Sequence, residues 1–336
     1  MLGELGFKRC AAEHALYTWR WGKEELIVGV YMDDLIVTGA CAEDIDSFKR
    51  EMAARFQMRD LGVRSYYLGI KVRQGKEALM LGQSAYASKL LERSGMAECK
   101  PCVTPVEEWL KLTKASAAAK LDATLYRSIV GGLRYLVHIR PYITFAVGYV
   151  SRFIEDPRED HWATVKLLLR YVKGMVDQGI VFPKTSGSGL YLTVFSDADM
   201  AGDIDGRRST SVVLIFLGSV PISWLSLKQK VVALSTYEAE YVAAATAVCQ
   251  AVWLRRLLDK LTGVKAHPPA LMMDNQPVIV LAKNPVLHDR SKHIELSFTF
   301  SGTVSMEGRS SSSSSKLVGN SRTSSPSRSA VFDSRS

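Results

Sequence analysis

The sequence predicts a chain that mixes α/β with α+β architecture, and three stretches carry that expectation. Leu190 to Phe195 alternates apolar and other residues with period two and reads as a strand. Ser235-Thr-Tyr-Glu238 is a capping box, and the helix it opens runs to about Leu261 and stops before Gly263, a good C-cap. Ala270 to Met273 reads as a buried strand that ends at Asp274-Asn275 and leads into a short helix, Pro277 to Lys283.

The bulk numbers bound the function. The chain has 336 residues, 47% of them hydrophobic, enough for two domains or one large one. Lys+Arg 43 against Asp+Glu 34 gives a formal net charge of +9, which suits a polyanionic partner such as nucleic acid. The five cysteines are scattered and odd in number, so no disulfide framework is expected and a reducing compartment is the default. Cys99 and Cys102 form a CxxC, but no second pair completes a zinc site. No targeting signal is seen, and the longest apolar run, Val242 to Leu254, falls short of the ~20 residues that span a bilayer. A cytoplasmic location and no membrane partner are therefore expected.

Ala15 to Trp19 reads as a strand, and Leu26 to Thr38 as two strands joined at Asp33-Asp34. Val and Ile on both arms argue for a buried hairpin. Adjacent carboxylates at a buried tip need a cation or cationic groups to offset them, whereas a plain Asp-rich turn does not. Asp44 to Met58 reads as an amphipathic helix, Glu107 to Asp122 as a linker, and Tyr126 to Leu136 as helical despite its glycines. Lys166, Arg170 and Lys173 recur at helical spacing, as a solvated basic face or one that meets phosphates.

The acidic stretch Ser196 to Thr210 follows the strand of Leu190 to Phe195. Asp197, Asp199, Asp203 and Asp205 fall within nine positions, beside Arg207 and Arg208. Either a divalent cation offsets their repulsion, since hard cations prefer oxygen ligands, or the turn is solvated and stabilised by its own arginines. Ser211 to Leu217 and Val220 to Leu225 read as further strands, with Gly218 and Pro221 marking the turn. In the long helix Val242, Ala245, Cys249, Val252, Trp253 and Leu257 make the expected core face, and Glu240 lies in the first turns. An acid there is also favoured simply by the helix N-terminus. His288 and Arg290-Ser-Lys-His-Ile-Glu295 bring a last acid with cationic neighbours.

These motifs, in this order, resemble the Pol polyprotein of copia-type, plant-like retrotransposons over roughly residues 1 to 297. Tyr31-Met-Asp-Asp34, with LGFKRC before it and LIVTGA after it, looks like the metal-binding hairpin of that reverse transcriptase. Arg59-Asp-Leu-Gly62, Tyr66 to Val72, Gln83-Ser-Ala-Tyr86, Cys99-Lys-Pro101 and Thr104-Pro105 resemble the end of its palm, its primer-contacting hairpin and its thumb. SDADMAGD, RRSTS, ISWLSLKQ, VALST, EAEYVA, WLRRLL, DNQ, LAKNP and KHIE resemble the ribonuclease H that follows. The resemblance implies a partial palm and thumb (1–106), a linker and connection (107–185) and a ribonuclease H-like domain with a mixed five-stranded sheet and flanking helices (186–297). Residues 298–336 are Ser/Arg-rich without apolar period and read as a disordered tail, a frameshift or a true extension.

On that resemblance Asp197, Glu240 and Asp274 hold two Mg²⁺ (or Mn²⁺) ions, Glu295 is the fourth acid, and His293 assists proton transfer or has a structural role. Asp33 and Asp34 are the polymerase's metal ligands. Arg207, Arg208, Lys228, Asn275 and Lys292 are the residues expected to bind nucleic acid. The implied reaction is hydrolysis of the RNA strand of RNA–DNA hybrids, within a virus-like particle in an intact element. The palm's further aspartate and the fingers lie N-terminal to this point in the family, so polymerase activity is not expected without a partner that supplies them. The chain departs from the family at Met200 (Trp), Leu227 (Lys), Pro277 (Ser), Tyr142 (Asp) and Ala251 (an acid). A non-catalytic binding module and a functionless relic stay open beside the enzyme reading.

Overall fold

The structure, a computed structural model, describes residues 2–21, 24–32, 34–60, 62, 66–184, 191–273 and 305–308. These residues form a mixed α/β chain of three sheets and six α-helices.

The first unit is β1 (Lys8–Arg9), β2 (Leu16–Trp21), β3 (Glu24–Tyr31), β4 (Asp34–Gly39) and helix α1 (Ala42–Arg55). The strands pair antiparallel in the order β1-β2-β3-β4. Phe48 and Met52 of α1 pack on Leu26, Val28 and Phe7, which gives one covered face. The hairpin tip is not buried as expected. Tyr31 is 46% and Met32 83% exposed, and β4, which leaves the tip, is an edge strand of the sheet.

β5 (Tyr66–Tyr67), β6 (Ile70–Gln74) and β7 (Ala78–Gly82) precede helix α2 (Ser84–Arg93). α3 (Ala123–Leu136), α4 (Thr144–Val150) and α5 (Glu159–Gly174) follow, and then β8 (Gly179–Pro183). α3 opens where Asp122 accepts from the Thr124 N–H (2.8 Å). Leu90, Ile129, Leu133, Val147, Leu168 and Leu169 fill one core shared by α2 to α5. β8 returns to pair with β7, Leu81 opposite Ile180. One core and one sheet run across residue 107. The segment read as a linker has no helix or strand, yet Leu112 is buried and its N–H donates to the Tyr149 hydroxyl (2.8 Å).

The last unit holds β9 (Leu192–Ala198), β10 (Thr210–Leu217), β11 (Val220–Lys228), α6 (Thr236–Thr262), β12 (Ala270–Met273) and β13 (Ser305–Gly308). Sheet order is β11-β10-β9-β12-β13, antiparallel on the β11 side of β9 and parallel on the β12 side. Gly218 makes the β10–β11 turn at φ +59°, but Pro221 lies inside β11, an edge strand, where a missing N–H is tolerated. β13 lies in the stretch read as a patternless tail. Its pairing with β12 is made by backbone, which an apolar period does not report.

Helix α6 packs on the sheet through Tyr241, Ala244, Ala245, Val248, Ala251, Val252 and Leu254. Cys249, expected on this face, is exposed. The run of alanines lets the backbone come close, and the buried stripe settles one residue to the side of Cys249. Gly263 ends the helix at φ +67°. Arg20 of β2 donates to the last carbonyls, of Lys260 (2.9 Å) and Leu261 (2.7 Å), where a helix terminus favours a cation.

Candidate functional site

Asp197 is the sixth of the seven residues of β9, opposite Val212 of β10. Leu192, Val194 and Ser196 alternate into the buried side of the strand, and Asp197 is exposed at its end. Glu240 lies in the second turn of α6 and is only 8% exposed. Its Oε1 accepts from the N–H of Ala198 (3.2 Å), the residue that follows Asp197 at the end of β9. Burial in this first part of α6 also pushes the neighbouring Tyr241 phenol up from its ordinary range.

The helix start that aims Glu240 was legible. Ser235 accepts from the Glu238 N–H (3.2 Å), as a capping box requires. Glu238 reaches back as well, its Oε2 accepting from the Leu234 N–H (2.7 Å).

The other three aspartates are taken up within the protein. Asp199 accepts from the Thr210 N–H (2.7 Å), closing the loop back onto β10. Asp203 is buried and accepts from the Gly206 N–H (2.9 Å) and Lys228 Nζ (3.2 Å), with Arg152 Nη1 at 3.7 Å. Asp205 accepts from Thr113 Oγ1 (2.5 Å) and the Lys114 N–H (2.9 Å). The Thr113 hydroxyl and the Lys114 N–H, with the charges of Lys114 and Lys228, hold its carboxyl below the ordinary range against a small desolvation effect. Among the described residues backbone N–H groups, Arg152 and Lys228 meet these carboxylates, while Arg207 and Arg208 are exposed.

Two carboxylates of hard oxygen donors at one strand end fit a Mg²⁺ or Mn²⁺ ion in chemistry. Among the described residues no group of three or more His, Cys, Asp and Glu forms a metal cluster. Asp274, Asn275, Lys292, His293 and Glu295 lie outside the described residues, as does Asp33. Asp34 opens β4 opposite Tyr31. Of the residues expected to bind nucleic acid, Arg207 and Arg208 are exposed and Lys228 is engaged with Asp203.

Sequence reasoning gave no role to Gln229, Ser209, Ser211 or Arg152. The first three are buried, and Gln229 bonds to both of the others. The signal was a polar run, Ser209-Thr-Ser211, at the head of an apolar strand, where unexplained hydroxyls call for partners.

Comparison with known proteins adds the relatives. A family model described as "Reverse transcriptase (RNA-dependent DNA polymerase)" matches residues 1–108. The chain is similar to the retrovirus-related Pol polyprotein of transposon RE2 from Arabidopsis thaliana, 37% identical over 88% of this chain and 20% of that protein. It is similar to the Pol polyprotein of transposon TNT 1-94 from Nicotiana tabacum, 38% identical over 81% of this chain and 21% of that protein. It also covers 92% of an uncharacterized mitochondrial protein of Arabidopsis thaliana, at 37% identity over 67% of this chain. The chain spans about a fifth of the length of the Pol polyproteins it matches.

Proposed function

The chain belongs to the family of copia-type retrotransposon Pol polyproteins, and from that premise we propose that residues 192 onward act as a ribonuclease H-type hydrolase on the RNA strand of RNA–DNA hybrids. The observation that carries the reading is the parallel register of β9 and β12, with Met272 opposite Phe195. In the sequence Asp197 and Asp274 each follow two residues later. The Glu240 carboxylate accepts from the N–H of Ala198, the residue that follows Asp197. A sheet with this order and a helix carrying an acid against its central strand suits such a site.

Asp197, Glu240 and Asp274 would hold Mg²⁺ or Mn²⁺, with Glu295 as the fourth acid and His293 assisting proton transfer. Bound divalent ions supply an activated water and a stabilised leaving oxygen for in-line attack on a phosphodiester. The chain's own residues do the rest. Asp197 offers its carboxylate at an exposed strand end that a phosphate can approach. Exposed Arg207 and Arg208 meet the nucleic-acid backbone, and Asn275 and Lys292 extend that contact. Discrimination of RNA would come from 2′-hydroxyl contacts.

The test is cleavage of a labelled RNA–DNA hybrid by the purified full chain with Mg²⁺, beside Asp197→Asn. Cleavage lost in the variant supports the reading. Tight hybrid binding without cleavage by a folded parent chain replaces it with a non-catalytic binding role.

A further inference from the structure

We propose that Gln229 is the positioning residue for Glu240, through a closed ring of contacts that only a terminal amide completes. Gln229 follows β11 and is buried. Its backbone N–H donates to the Ser209 carbonyl (2.8 Å), which fixes the main chain beside the head of β10. Its side-chain Nε2 donates twice, to Ser211 Oγ (2.9 Å) and to the Ala239 carbonyl (2.9 Å). Ser211 is the cross-strand partner of Ala198, and Ala198 donates to Glu240 Oε1. Ala239 is the residue before Glu240. The amide thus ties the strand whose neighbour holds the Glu240 carboxylate to the helix that carries its backbone.

Chemistry restricts what can stand at this position. Both N–H bonds of one NH₂ group are used, and each meets an acceptor on a different element. Glu offers acceptors only and would set a second carboxylate near Glu240. Lys has donors but would bury a charge. Met has the shape and no donor. A carboxylate that shares a metal must be held at its place by the groups behind it, and loss of such partners typically costs 10–100-fold in metal affinity. The inference rests on the metal-binding reading of Asp197 and Glu240 and assigns the residue that sets the geometry of that site.

The test uses the full chain without nucleic acid and follows Mn²⁺ binding by electron paramagnetic resonance, beside thermal unfolding. Parent, Glu240→Gln, Gln229→Met and Ser211→Ala are compared. Gln229→Met is expected to unfold cooperatively and to weaken Mn²⁺ about tenfold or more. Ser211→Ala, which removes one of the two acceptors, is expected to shift binding less and in the same direction, and it decides the matter where Gln229→Met does not fold. Binding that Glu240→Gln weakens but both other variants leave intact overturns the role of Gln229 alone. A folded parent that does not bind Mn²⁺, or binds it equally well without the Glu240 carboxylate, removes the metal-site reading and this inference with it.

Discussion

Arg152 and Asp203 meet as a buried pair, Nη1 to Oδ1 at 3.7 Å, with side chains 11% and 8% exposed. Arg152 belongs to the short helical turn after α4, and Asp203 to the loop that leaves β9 just past Asp197. The same guanidinium donates to Thr210 Oγ1 (2.8 Å) and lies over the Tyr149 ring. The helical connection therefore grips the acidic loop at its middle and where it enters β10. Removing the cation leaves the buried Asp203 with Lys228 and the Gly206 N–H among the described residues. Arg152→Ala is expected to cost stability at the lower end of the ~3–5 kcal/mol typical of a broken buried pair, read by chemical denaturation. An unchanged midpoint would show the pair to be incidental.

Asp205 makes a pH prediction. Its folded pKa lies below the ordinary 3.8, held there first by the Thr113 hydroxyl and then by the Lys114 N–H. A depressed acid stabilises the fold above its unfolded value, and the contribution fades as pH falls from about 3.8 through the lowered value. The parent is expected to lose more stability across that acid window than Asp205→Asn, as read by melting temperature against pH. Parallel curves would mean the contact contributes nothing.

The start of α6 gives a third. Ser235→Ala removes the acceptor of the Glu238 N–H and is expected to cost about 1 kcal/mol, measured by denaturant unfolding. Glu240 would keep its place through Gln229, so metal binding should change less than in Gln229→Met.

Gly263 gives a fourth. It stands at φ +67°, and a Cβ there would come within 2.5 Å of an Arg20 nitrogen. Gly263→Ala is expected to destabilise by about 1–2 kcal/mol from the left-handed backbone, with the Arg20 contact loosened as well. Thermal unfolding reads the result.

What the sequence made legible was what local chemistry decides. The cap at Ser235, the stop at Gly263, the strands around Gly218 and the hairpin of β3 and β4 all follow from neighbours a few residues apart. The counter-charges of the acidic loop did not follow. Thr113 lies 92 positions before Asp205, and Arg152 about half that before Asp203, so nothing near the aspartates announced them. Arg207 and Arg208 were adjacent in sequence, and it is their backbones that bond to Asp203 while both residues are exposed. Cys249 failed for a related reason. In a helix this rich in alanine many faces look apolar, and the packed one is chosen by Val194, Val213 and Leu271 of the sheet. The joint role expected of Asp197 and Glu240 came from resemblance alone, because a strand end and a helix turn 43 residues apart carry no common local pattern.

The most direct measurement of the central claim is hybrid cleavage by the full chain in Mg²⁺, run beside Asp197→Asn and Glu240→Gln with unfolding curves for all three. Cleavage of the RNA strand by the parent and a loss of roughly 100-fold or more in each variant are expected, since each removes a ligand rather than a group behind one. Equal cleavage by a folded Asp197→Asn protein would contradict it.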